Sequence, residues 1–112
     1  MTLLQKQYQF ARMVASLIQK AGELGFEVTL GEAWRSPEEA KRNAAAGKGI
    51  ARSLHCERLA IDINLFRNGK YLSDTESHRP LGEWWESIGG SWGGRFARGD
   101  GNHYSIEHEG RK

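Results

Sequence analysis

Ser53-Leu54-His55-Cys56-Glu57-Arg58-Leu59-Ala60-Ile61-Asp62-Ile63-Asn64-Leu65-Phe66 is the stretch that decides the fold. From Leu59 to Phe66 it reads as a buried β-strand, rich in branched and aromatic side chains. Asn68-Gly69 follows as a tight hairpin turn into a second strand at Lys70-Tyr71-Leu72. One carboxylate, Asp62, interrupts the apolar run. An ionised group in such a place is costly unless it is paired or bound to a cation.

Helices flank this hairpin. Residues 3–24 form an amphipathic helix with Leu4, Tyr8, Ala11, Val14, Ala15, Ile18 and Ala21 at helical spacing, and Gly25 stops it. Phe26-Glu27-Val28-Thr29-Leu30 alternates like a half-buried strand. Ser36 caps the next helix, with Pro37 in its first position and Glu39 completing a capping box. That helix ends near Ala46, before a loose Gly47-Lys48-Gly49. Pro80 opens a short helix through Ile88 that carries Trp84 and Trp85, which read as core and rim. Residues 89–109 are glycine-rich with short strand-like pieces. The pattern is a single α+β domain over residues 1–112, with helices packed on a small, mainly antiparallel sheet.

Composition narrows the function. Sixteen basic against 14 acidic residues give a net charge of only +2, which speaks against a nucleic-acid binder built on massed basic residues. No run approaches the ~18 apolar residues of a membrane span, and the N-terminus lacks a signal peptide's apolar stretch. The expectation is synthesis in the cytoplasm. Cys56 is the only cysteine and excludes an internal disulfide.

The chemistry-bearing residues fall in two places. His55 enters the strand that holds Asp62, and Asp100-Gly101-Asn102-His103-Tyr104 brings a second histidine three residues after a carboxylate. A hydrolytic zinc site takes three ligands of the His and carboxylate type and leaves a position for water. Taken singly, each residue has a plainer reading. A buried Asp caps a turn or pairs with an Arg, and a lone His is structural or exposed. His78 and His108 read as solvated, Cys56 as a small core residue or bystander, and Ser73-Asp74-Thr75-Glu76 as an exposed acidic turn. The charges of Glu38-Glu39, Lys41-Arg42 and Arg95 to Arg98 read mainly as solvated faces.

Taken together, these residues resemble the zinc D-Ala-D-Ala carboxypeptidase and L-alanyl-D-glutamate endopeptidase family. Ser53, His55, Ala60 and Asp62 fall in register on its S-x-H-x-x-G-x-A-x-D motif, and Asp100, His103 and Tyr104 on its second. Arg35, in Trp34-Arg35-Ser36, matches an upstream arginine, so the resemblance runs over residues 26–107. With Trp92-Gly93-Gly94-Arg95-Phe96 before the second motif, the chain looks most like the short phage endolysins. The family's usual glycine is Arg58 here, which puts the backbone near His55 and the width of the cleft in question.

The resemblance implies a set of roles. His55, Asp62 and His103 would hold Zn2+, Asp100 would be the general base, and Arg35 would face the developing oxyanion. Ser53 would bind substrate, and Trp92 and Tyr104 are candidate cleft residues. Glu107 and Glu109 match no motif. The implied substrate is a peptidoglycan stem peptide, cut at L-Ala–D-Glu after another protein releases the enzyme to the cell wall. The rival readings are a D-Ala-D-Ala carboxypeptidase or dipeptidase, and a non-catalytic zinc-stabilised phage structural module.

Overall fold

Ile61, Ile63 and Leu65 alternate with Asp62 and Asn64, which gives this strand two different faces, and it organises the fold. In a computed structural model, which describes residues 1–48 and 53–112, Ala60–Arg67 forms β2. Ile61, Ile63 and Leu65 point into the core, whereas Asp62, Asn64 and Phe66 on the other face are only half-buried. The strand is therefore buried on one side rather than both, and Asp62 stands on the open face.

β1 (Glu27–Leu30) lies antiparallel along one edge of β2, pairing Leu30 with Ile63. The opposite edge is shared. β3 (Lys70–Leu72) returns through the Asn68-Gly69 turn, where φ is +54° and +75°, and β5 (His103–Ser105) pairs with the first half of β2. β4 (Ser91–Trp92) closes the far edge against β5, giving the order β1-β2-β5-β4.

Three helices pack on this sheet. α1 (Leu3–Glu23) starts at a complete Thr2–Gln5 capping box, and the chain turns after it at Gly25, with φ +89°. α2 (Pro37–Ala45) is capped by Ser36 Oγ, which accepts the Glu39 N–H at 3.0 Å. Of the loose segment after it, Gly49 lies outside the described residues. α3 spans Thr75–Ser87. It begins five residues before Pro80, because Asp74 caps it by accepting the Ser77 N–H at 3.0 Å. The acidic turn at Ser73–Glu76 is thus a helix start, and Pro80 sits inside the helix.

The core differs from the expected one on two helices. α1 buries Phe10, Leu17 and Ala21, leaving Leu4 and Tyr8 each 54% exposed. His78 is not solvated: it is buried on α3 and its Nδ1 lies 2.8 Å from the Tyr104 hydroxyl. Phe10 and Tyr104 both meet the Trp85 ring edge-on, each at 6.0 Å. His108 is half-buried as well, with Lys6 Nζ 3.2 Å from its Nδ1. No described helix is long and apolar enough to cross a membrane.

Candidate metal centre

Asp62 is held from both sides. Its N–H donates to the Glu32 carbonyl at 3.0 Å and its carbonyl accepts from Gly31 at 2.8 Å, extending the β1 pairing past Leu30. On the other side the register places Asp62 opposite His103. His55 arrives by a separate route, a short 3₁₀ turn at Leu54–Glu57 that leads into β2. Ser53 starts that turn, its Oγ accepting the His55 N–H at 3.1 Å.

Three elements distant in sequence thus place three donors around one point. Asp62 Oδ1 lies 3.4 Å from His55 Nε2 and 3.9 Å from His103 Nδ1. One ligand atom from each residue lies within 4.8 Å of the other two. Bonds of ~2.1 Å in a tetrahedral zinc site separate donors by about 3.4 Å, so this cluster fits zinc after a small contraction. Two histidines and a carboxylate are also the donor chemistry of hydrolytic zinc. Burial first, and then the neighbouring His55, lowers the His103 pKa to about 4, which leaves its lone pair free for a metal at neutral pH.

The trio opens on a cleft of about 590 Å³. Arg35, Ser53 and Asp100 line it, as the family resemblance implies. Arg35 is ion-paired with Glu32, and its backbone N–H donates to the His55 carbonyl at 3.3 Å. Asp100 is exposed at the rim. Lost hydration raises its carboxyl above the ordinary value, and the Asp62 charge adds to the shift. Its carbonyl accepts the His103 N–H at 3.0 Å, which joins the candidate base to a candidate ligand through one turn.

Two expected cleft residues are core residues instead. Trp92 is 1% exposed: its Nε1 donates to the Gly101 carbonyl at 2.8 Å, and its ring occupies the space beside Gly82 and Gly94. Tyr104 is fully buried and bonded to His78, and burial pushes its phenol up so that it stays protonated. Neither lines the cleft. Phe96 does, at the end of the Trp92–Phe96 stretch, and so do Lys48, Arg98 and Lys112, which no motif in the sequence marks. Arg98 therefore faces the cleft and is not simply part of a solvated run. Its neighbour Arg95 does pair on the surface, with Glu86 at 2.9 Å.

Arg58 resolves the missing glycine. It adopts φ +59°, ψ +35°, the left-handed conformation that favours glycine, so the backbone path survives the substitution. Its guanidinium lies 5.0 Å from the Trp34 ring centre, and it does not line the cleft.

The comparison with known families agrees with this geometry. Residues 46–106, more than half of the chain, match the family described as D-alanyl-D-alanine carboxypeptidase. The chain belongs to that family. It is a peptidase of a zinc-dependent, peptidoglycan-acting group, and the matched span contains His55, Asp62, Asp100 and His103. The fold is similar to that of a Serratia marcescens L-Ala D-Glu endopeptidase, ChiX, with a TM-score of 0.75 at 17% identity, over 88% of this chain and 78% of that one. No curated protein sequence matches the chain.

Proposed function

We propose that this family member is a phage endolysin that hydrolyses the L-Ala–D-Glu bond of peptidoglycan stem peptides. The observation that carries the reading is the His55–Asp62–His103 cluster at the floor of a cleft with Asp100 at its rim. A bound zinc would supply Lewis acidity to the scissile carbonyl and activate water. Asp100 then takes the proton of the attacking water and returns it to the leaving amine. Its raised pKa suits both transfers. Arg35 directs a fixed positive charge at the developing oxyanion, held in place by Glu32. Ser53, whose Oγ already accepts from His55, keeps its own O–H to donate to a substrate carbonyl.

Arg98, Lys48 and Lys112 give the cleft a cationic rim that suits a glutamate carboxylate beside the cut bond. The Serratia enzyme of similar fold is named for cutting that same bond. A three-ligand cluster with a base beside it speaks against a closed structural zinc site, which takes four ligands. The second reading, a carboxypeptidase that trims a terminal D-Ala, is favoured by the family description. Mass analysis of fragments released from purified peptidoglycan separates the two. New L-Ala C-termini and D-Glu N-termini support the endopeptidase, whereas free D-Ala as the sole product refutes it. The place of action we propose is the wall, after release by another protein. Expressed inside a bacterium, the enzyme should lyse cells only once the inner membrane is permeabilised, and lysis of intact cells would refute this.

A further inference from the structure

The segment Gly31-Glu32-Ala33-Trp34-Arg35 passes the metal centre twice. Its backbone bonds to Asp62 at Gly31 and Glu32, and to His55 at Arg35. The Glu32 side chain lies between these points. It pairs with the Arg35 guanidinium, and its Oε1 stands 3.9 Å from His55 Nδ1. That nitrogen is buried and has no hydrogen-bond partner among the described residues, while Nε2 of the same ring faces Asp62.

A neutral imidazole has one N–H and one lone pair. If Nε2 gives its lone pair to a metal, Nδ1 must carry the proton, and a buried N–H without an acceptor is destabilising. The Arg35 guanidinium, paired with the same carboxylate, is a donor only and cannot serve. Glu32 brings a carboxylate oxygen within a small side-chain rotation of Nδ1.

We propose that Glu32 is a positioning residue that accepts the Nδ1–H of His55, fixing the ring with Nε2 toward the metal, while the same carboxylate aims Arg35 into the cleft. The proposal rests on the ligand set given above. Carboxylates in this relation to a metal-binding histidine set its tautomer and raise its basicity, and their loss costs about 10–100-fold in metal affinity or activity. Glu32 thus ties the electrophilic and the metal-binding halves of the centre to one carboxylate.

The test is zinc affinity by chelator competition at pH 7 on wild type, Glu32→Ala, Glu32→Gln and His55→Ala, with circular dichroism as the control for folding. Glu32→Ala should bind zinc about 10–100-fold more weakly. Glu32→Gln, whose amide oxygen still accepts from Nδ1, should recover most of that affinity. It should nevertheless show a reduced kcat, because an amide no longer anchors the Arg35 charge. Wild-type zinc affinity in folded Glu32→Ala overturns the proposal. So does a Glu32→Gln variant that binds zinc no better than Glu32→Ala. If Glu32→Ala does not fold, Glu32→Gln carries the test: near-wild-type zinc affinity with lowered kcat supports the proposal, and unchanged kcat overturns it. Unchanged zinc binding in His55→Ala would instead refute the ligand set, a failure distinct from that of Glu32.

Discussion

The buried pair His78–Tyr104 should make this protein lose stability in mild acid by a mechanism unconnected with its metal. His78 is 2% exposed and its Nδ1 lies 2.8 Å from the Tyr104 hydroxyl. Burial lowers its pKa from 6.5 to about 4, and the Asp74 charge only partly offsets the shift. The folded-state pKa is therefore below the unfolded one, so the unfolded chain takes up the proton first as pH falls. The contribution to stability is fully present above pH ~6.5, declines between 6.5 and 4, and changes little below that. A shift of this size amounts to about 3 kcal/mol in all, of which about 2 kcal/mol is lost between pH 7 and pH 5. For a domain with ~5–15 kcal/mol of total stability this is a large fraction.

The perturbation that isolates the effect is His78→Gln, which removes the titrating ring but keeps groups able to bond the Tyr104 hydroxyl. Urea denaturation of wild type and variant, with a chelator present, at pH 7, 6, 5 and 4 gives the two dependences. The variant should be less stable at pH 7 and show a flatter pH dependence, so that the gap between the two narrows by about 2 kcal/mol at pH 5. Both proteins keep His55, His103 and Asp100, so titrations at the metal centre cancel in the difference. Parallel curves would refute the reasoning, because His78 would then titrate alike in the folded and unfolded chains.

Two further outcomes follow from the same structure. Asp100→Asn should keep its zinc and fold but lose about 10²–10⁴-fold in turnover, whereas His103→Ala should lose metal and activity together. Elemental analysis beside a peptidoglycan-release assay checks this, and near-normal turnover in Asp100→Asn would remove it as the base. At position 58, Arg58→Ala gives up the stack on Trp34 while keeping the left-handed backbone, so Arg58→Gly should be about 1 kcal/mol more stable than Arg58→Ala in denaturant unfolding. The opposite order would mean that the backbone here is unstrained.

Elements were legible where local chemistry sets them. Ser36 and Asn68-Gly69 mark their helix and hairpin because a cap or a turn is decided within a few residues. Faces were less legible. On α1 the expected stripe, Leu4-Tyr8-Ala11-Val14-Ala15-Ile18-Ala21, shares Val14 and Ala21 with the face that is covered, Phe10-Met13-Val14-Leu17-Ala21, and both have helical spacing. Periodicity cannot choose between them, and only the position of Trp85 and the sheet decides which is covered. At His78 the misleading signal is Pro80. Starting the helix at proline hides the face on which His78, Leu81 and Trp85 align three and four residues apart. Trp92 invites a cleft role because glycines surround it, yet those glycines make room for its ring in the core.

The metal centre shows the same boundary between local and distant information. His55 and Asp62 share one motif, and His103 with Asp100 shares another, so each half is written within a few residues. What brings the halves together is the register of β5 on β2, which sets His103 opposite Asp62. That register has a consequence on the other edge of the strand. The backbone position that pairs Asp62 with His103 also offers the Asp62 N–H to Glu32, so the segment carrying Arg35 is drawn against His55. Glu32 belongs to neither motif and has no signature of its own. Its place depends on a β1–β2 pairing that continues beyond Leu30, and this extension is visible only when the strands are assembled. One carboxylate on the open face of β2 thus organises the site twice, through its side chain toward the two histidines and through its backbone toward the glutamate and arginine.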